Sequence, residues 1–365
     1  MSLNAGIVGL PNVGKSCIFN ALTQAGARVE SFPFSTIEPN HGVVAVPDAR
    51  LGELARVLAP PKLTPATLEL VDVAGLVEGA HRGEGLGNQF LGHIRELDAL
   101  VHVLRCFGGD VAHVSGSVDP GRDLDVVEIE LALADLETVE RRLEKVAREA
   151  KVGIKEARAE LPALERFAEP LRAGKLLRRL ELGPEGRAMA QQLGLLTAKP
   201  VLYVANVDEQ QAREPDAMLG ALGRRVQAAG DRLLPLCAQM EAEIALLDDP
   251  AERAMFLDDL GLREPGLDRL AREIYALLGL MTFYTFAGGK ELRAWPIRRG
   301  TLAPQAAGKI HSDFERGFIR ADVGACEDFV RLGSEAAARD RGRLRSEGRE
   351  YEVQDGDVIH FRFNV

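Results

Sequence analysis

The stretch Gly9-Leu10-Pro11-Asn12-Val13-Gly14-Lys15-Ser16 is a complete G-x-x-x-x-G-K-S phosphate-binding loop, set directly behind the apolar run Ala5-Gly6-Ile7-Val8. This placement constrains the chain to a strand, a tight loop and a helix that share one anion site. The glycines let the backbone curl its N–H groups around phosphates, Lys15 reaches the β- and γ-phosphates, and Ser16 ligates Mg²⁺. A helix expected from Ser16 to about Ala25 points its positive N-terminal end at the same anion. The motif implies binding of a nucleoside triphosphate.

Short apolar, β-branched runs alternate with helical patterns from residue 5 to about 115, which predicts a parallel sheet covered by helices. Strands are expected at 5–9, 42–46, 68–73 and 99–105. From Leu124 to about Leu196 the pattern changes, and Leu131, Leu133, Leu136, Val139, Leu143 and Val146 recur at helical spacing among Glu, Arg and Lys. That periodicity predicts a helical hairpin, part coiled coil. Its basic cluster Arg172, Lys175, Arg178 and Arg179 is either a solvated face or a phosphate contact. Strand signals return at Val201–Ala205 and Leu233–Cys237, so the helical segment interrupts one α/β domain. A third region begins near Leu280, with strands expected at 281–286, 292–297 and 358–363, and a small mixed-sheet module fits it.

The 365 residues have room for two or three domains. No stretch of some twenty apolar residues is present and the N-terminus carries no basic leader, so the expectation is a cytoplasmic protein that does not span a membrane. Cys17, Cys106, Cys237 and Cys326 are far apart, without metal-ligand spacing, and read as buried, reduced thiols. The net charge of −10 is unevenly placed. Residues 126–197 hold 13 basic and 13 acidic side chains and residues 278–365 hold 14 and 13, so an RNA-facing surface on these parts is not excluded.

Behind the phosphate loop, Phe34-Ser35-Thr36-Ile37-Glu38-Pro39-Asn40 offers Thr36 where a switch threonine would complete the Mg²⁺ shell and sense the γ-phosphate. Asp72-Val73-Ala74-Gly75 is a D-x-x-G ending a buried strand: Asp72 would hold Mg²⁺ indirectly and the Gly75 amide would meet the γ-phosphate. Glycines at 79, 83, 85 and 87 make the following segment a second switch ordered by nucleotide. Small GTPases place a water-orienting glutamine after D-x-x-G, and here that position is Leu76, which can neither donate nor accept a hydrogen bond. Slow intrinsic turnover follows. The guanine-reading N-K-x-D motif is replaced by Asn206-Val207-Asp208-Glu209, and a buried site that fails to pair a base's polar groups discriminates by about 10⁴-fold. Adenine is favoured, unless Asp208 reaches guanine through a shift of the loop.

With these motifs the chain resembles the YchF family, also called the Obg-like ATPases, of the translation-factor-related P-loop GTPases. The resemblance covers essentially the whole chain and is carried by Gly6 to Ser16, Phe32 to Asn40, Asp72 to Val77, Gly83 to Asn88, Ala303 to His311 and the terminal Phe361-Arg362-Phe363-Asn364-Val365. It implies an α/β fold: a P-loop GTPase-like domain over 1–125 and 198–277, an inserted α-helical coiled-coil domain over 126–197, and a C-terminal β-grasp (TGS) domain over 278–365. It also implies an Mg²⁺-dependent ATPase that associates with the ribosome, as large subunit or whole particle, and acts as a nucleotide-dependent switch in translation or stress regulation. Monomer is the default state.

The family's catalytic histidine follows Arg-Cys-Phe. Here Arg105-Cys106-Phe107 precedes His113, which inherits the role, with His81 a second candidate. The resemblance places Asn12, Val13, Gly14, Lys15, Ser16 and Cys17 around the phosphates, Gly75 at the γ-phosphate, Asn206 and the Val207 backbone at adenine, and the loop Cys237-Ala238-Gln239 beside the base. The metal ligands are Ser16, Thr36 and Asp72. Asn12 is the sort of residue that helps hold K⁺, though asparagine there has other uses. Two rivals stay open: a GTPase, and an RNA- or protein-binding regulator whose nucleotide only stabilises the fold.

Overall fold

The structure is a computed structural model that describes residues 3–25, 39–76, 79, 86–109 and 113–364. Thr36 and His81 lie outside the described residues. The first sheet has the order β2-β4-β1-β5-β6-β7, formed by Asn4–Val8 (β1), Asn40–Ala45 (β2), Thr67–Asp72 (β4), Ala99–Arg105 (β5), Val201–Asn206 (β6) and Arg232–Leu236 (β7). β1 pairs in parallel with β4 and β5, and β5, β6 and β7 continue the parallel ladder. The near-continuous apolar runs that predict these strands reflect burial on both faces: every residue of β5 and β6 is buried. Helices Lys15–Ala25 (α1), Ala49–Leu58 (α2) and Leu86–Arg95 (α3) connect the early strands.

Between β5 and β6 run Pro120–Lys151 (α4), Lys155–Arg172 (α5) and Pro184–Gln192 (α6). The expected hairpin is therefore present, with α4 starting four residues before Leu124. Asp119 caps α4, its carboxylate accepting from the Arg122 N–H at 3.0 Å, and Pro120 follows at the first helical position, where its missing N–H leaves no bond unmade. Val139 and Val146 of α4 pack with Leu164, Phe167 and Leu171 of α5. Three of the four residues of the basic cluster are ion-paired. Arg172 pairs with Glu140 at 2.9 Å, Arg178 and Arg179 both meet Glu128 at 2.9 and 2.8 Å, and these two also face Asp231. A run of arginines in sequence does not reveal the acids that folding brings to it.

The chain divides into two compact units, Met1–Gly42 with Glu69–Leu270, and Val43–Leu68 with Ala271–Val365. The segment Val43–Leu68, which the sequence reading placed in the nucleotide-binding domain, thus groups with the C-terminal residues. In that second unit, Lys62–Thr64 (β3), Leu280–Ala287 (β8), Glu291–Arg298 (β9), Phe318–Ala325 (β10), Arg345–Glu347 (β11) and Asp357–Phe363 (β12) form a sheet of order β11-β10-β12-β8-β9-β3. β8 and β9 form an antiparallel hairpin, β12 lies parallel to β8, and the helix Ala303–Ile310 packs on the sheet through Ala303, Ala306 and Ala307 against Phe283, Ile359 and Phe361. This is the mixed sheet with a covering helix expected of a β-grasp module. No helix among the described residues is long and apolar enough to cross a membrane.

Candidate nucleotide site

The phosphate loop leaves β1 through backbone that ordinary residues avoid: Gly9 has φ 149°, Gly14 φ 95°, and Asn12, despite its side chain, φ 62°. At Gly14 a Cβ would lie 2.2 Å from Asn206 Nδ2, and at Gly75 it would lie 3.0 Å from Pro11, so these glycines serve close approach as well as conformation. Lys15 opens α1 and folds back over the loop, its ammonium donating to the carbonyls of Gly9 at 3.1 Å and Leu10 at 2.8 Å. Burial pulls its pKa down to about 8, while Asp72 opposes that shift.

Ser16 Oγ donates to Asp72 Oδ2 at 2.9 Å, bringing the end of β4 onto the start of α1. The other carboxylate oxygen, Asp72 Oδ1, is buried without a hydrogen-bond partner. Burial raises the Asp72 pKa, with Ser16 and Lys15 pulling the other way. A hydroxyl touching a carboxylate that keeps one orphaned oxygen is a hard-oxygen donor set, and it fits Mg²⁺. Among the described residues no group of three His, Cys, Asp or Glu side chains forms a rival metal cage.

Asn206, at the end of β6, is buried and clamps the loop. Its Nδ2 donates to the Val13 carbonyl at 2.9 Å and its Oδ1 accepts from the Ala238 N–H at 3.0 Å. The Val207 N–H is held by the Leu236 carbonyl at 3.0 Å, which leaves the Val207 carbonyl as its backbone polar group toward any base. Ala238 does not sit in a loop: Cys237 is the cap and Ala238–Ala245 (α9) begins there. Cys17 Sγ reaches the Ala238 carbonyl at 3.5 Å. All four cysteines are free, but Cys17 is exposed and Cys106 only half-buried, so the reading of four buried thiols holds for Cys237 and Cys326.

Two residues differ from a guanine-reading, glutamine-bearing site in ways the sequence only partly shows. Asp208 caps Glu209–Arg213 (α7), with its carboxylate accepting from Gln211 N at 2.9 Å and its own N–H donating to Gln211 Oε1 at 3.1 Å. Leu76 is 1% exposed and joins the core, while its N–H bonds the Gly9 carbonyl at 3.0 Å. His113 lies outside this cluster of contacts. Its Nε2 is 2.7 Å from Asp123 Oδ2, and its Nδ1 accepts from the Ser115 N–H at 3.1 Å. The structure therefore brings together Val13, Gly14, Lys15, Ser16, Cys17, Asp72, Gly75 and Asn206, but joins His113 to the first turn of α4. Asp123 and Glu130, buried acids on α4, were missed by sequence reasoning, since an acid inside a helix repeat reads as solvent-facing until its loop partner is known.

A parallel sheet with this loop, an apposed D-x-x-G and a base-side strand ending in asparagine defines a P-loop protein of the GTPase class. Residues 4–151 match the family described as 50S ribosome-binding GTPase, and residues 280–364 match the family YchF-GTPase_C, described as a protein of unknown function. The chain belongs to the YchF family. It is 52% identical to the ribosome-binding ATPase YchF of Escherichia coli O157:H7 over 366 residues and 50% identical to that of Bacillus subtilis strain 168 over 368 residues, covering 100% of both chains in each case. The solved Schizosaccharomyces pombe YchF GTPase is 34% identical, with a TM-score of 0.88 over 99% of this chain and 98% of that one.

Proposed function

We propose that the protein is an Mg²⁺-dependent ATPase that binds ribosomes and works as a nucleotide-controlled switch in the cytoplasm, as a monomer. The observation that carries the ATPase reading is the contact of Ser16 Oγ with Asp72, whose second oxygen is left orphaned against the phosphate loop. Ser16, Asp72 and Thr36 would hold Mg²⁺, which supplies charge neutralisation on the triphosphate when bound. The loop N–H groups of Asn12 to Cys17 cradle phosphates, Lys15 exchanges its carbonyl partners for phosphate oxygens, and the Gly75 amide meets the γ-phosphate. Asn12 would be the residue to bring K⁺ to the same oxygens.

Adenine is favoured because the aspartate of the guanine-reading motif is replaced by Glu209, one methylene longer, while Asp208 Oδ1 is engaged in capping α7. Asn206 supports the base side by fixing the loop and α9, and the Val207 carbonyl is the acceptor at hand for an exocyclic amine. His113 takes the part that Leu76 cannot play, orienting the attacking water once its loop is engaged. The helical segment 126–197 and the TGS module 278–365 would contact the ribosome, large subunit or whole particle, including its RNA, while 1–125 with 198–277 carries the nucleotide. The names of the relatives support ribosome binding. Titrating ATP and GTP side by side against the purified protein tests the base preference, and tenfold tighter GTP binding would end it. A His113→Ala variant should keep ATP affinity and lose stimulated turnover.

A further inference from the structure

The hydrogen bonds around His113 determine which nitrogen carries its proton. A backbone N–H can only donate, so Nδ1, which receives the Ser115 N–H at 3.1 Å, is the unprotonated nitrogen. The proton is therefore on Nε2, which donates to Asp123 Oδ2 at 2.7 Å. Nδ1 thus accepts and Nε2 donates, and both nitrogens are occupied. Its side chain is 3% exposed and that of Asp123 is 1% exposed, so water does not compete for either partner. The other Asp123 oxygen accepts from Arg122 at 3.0 Å, and Arg122 in turn reaches Ser117 Oγ at 2.9 Å. Asp123 is thus held through both carboxylate oxygens.

We propose that Asp123 is a positioning residue that parks His113 off the reacting water in the resting protein, and that release from Asp123 is part of activation. This rests on the catalytic reading of His113 given above. An imidazole with both nitrogens engaged has no lone pair or proton for a water, so catalysis requires at least one of the two bonds to break, and the shorter, buried bond to Asp123 is the one that ties the ring to α4. The same helix bonds Gly79, four residues beyond Gly75. Seven residues on from Asp123, two turns along the same face of α4, buried Glu130 accepts from the Gly79 N–H at 2.7 Å. One helix, which continues into the helical insertion, therefore bonds both His113 and Gly79. A partner engaging the insertion has a direct structural path to both.

The test uses the full chain with four variants: Asp123→Ala, Asp123→Asn, His113→Ala, and Asp123→Ala combined with His113→Ala. ATP turnover without ribosomes is expected to rise about tenfold in Asp123→Ala, the weight of one charge-assisted hydrogen bond, and the ratio of ribosome-stimulated to basal turnover should fall in step. Asp123→Asn keeps the volume and one acceptor oxygen, so it should show a smaller rise of the same sign and covers the case in which the alanine variant fails to fold. The double variant should show no rise. Basal turnover that stays level or falls in both folded Asp123 variants, or a rise that persists without His113, overturns the proposal. Imidazole ¹⁵N spectra of the nucleotide-free protein supply a readout independent of turnover: an Nε2–H tautomer that is lost in Asp123→Ala supports parking, and an Nδ1–H tautomer refutes it. If His113→Ala leaves stimulated turnover unchanged while the tautomer is as described, the catalytic reading fails and the hydrogen bond stands.

Discussion

At the scale of single residues, the site depends on side chains whose neighbours reverse their apparent roles. Leu76 stands where a water-orienting glutamine would be, which suggests that restoring glutamine would speed hydrolysis. Its side chain is buried in the core, so Leu76→Gln would bury an amide without partners and is expected to destabilise the protein by about 2 kcal/mol while leaving turnover no faster. Denaturant unfolding and a steady-state assay check both halves. Asn206→Ala removes the bonds to Val13 and Ala238 and leaves a buried carbonyl and N–H unsatisfied; a loss of about 2–3 kcal/mol and at least tenfold weaker ATP binding should follow, and unchanged affinity would mean that the clamp does not hold the loop. The glycines, Lys15, Ser16 and Asp72 were legible because phosphate chemistry fixes their spacing. Asn206 was legible as the start of the base-reading motif but not as the clamp on the loop, since its two partners, Val13 and Ala238, lie far away in sequence.

Among the elements, β5 carries a titratable group in its core. His102 is buried beside Tyr203, with ring centroids 5.3 Å apart, and its pKa falls to about 3, mainly through burial and further through Arg178 and Lys15. A histidine depressed in the folded state binds its proton first in the unfolded chain. Its contribution to stability is therefore complete above about pH 6.5 and is lost as pH drops toward 3, with a slope near 1.4 kcal/mol per pH unit inside that window. His102→Gln should flatten the acid limb of the stability profile by about that slope, and an unchanged limb would locate acid sensitivity elsewhere. On α4, Asp135 accepts from Leu196 N, Thr197 N and Thr197 Oγ at 2.8, 2.7 and 2.6 Å, tying the insertion's return to its root. Asp135→Ala should cost about 3 kcal/mol in thermal or denaturant unfolding. The apolar strands and the periodic hairpin were readable because burial writes itself as period and run length. β3 was not, being a three-residue strand with two exposed residues.

For the whole molecule, the sequence pattern showed three regions, whereas contacts group Val43–Leu68 with the C-terminal residues. Local patterns give an element's type, and only packing assigns its company. The molecule joins a nucleotide site with a hydrophobic residue in place of glutamine, a base-side strand followed by Asp208 capping α7, and a histidine bonded to the helix that begins the insertion. The proposed function makes ATP the substrate and has ribosomes relieve a slow resting state. The most direct test is steady-state hydrolysis of ATP and of GTP by the purified protein, each with and without ribosomes and with Mg²⁺ present or chelated. The proposed function predicts slow ATP turnover alone, a clear rise with ribosomes, little turnover of GTP, and none of either without Mg²⁺. GTP turnover equal to or above that of ATP, or ATP turnover indifferent to ribosomes, would contradict it.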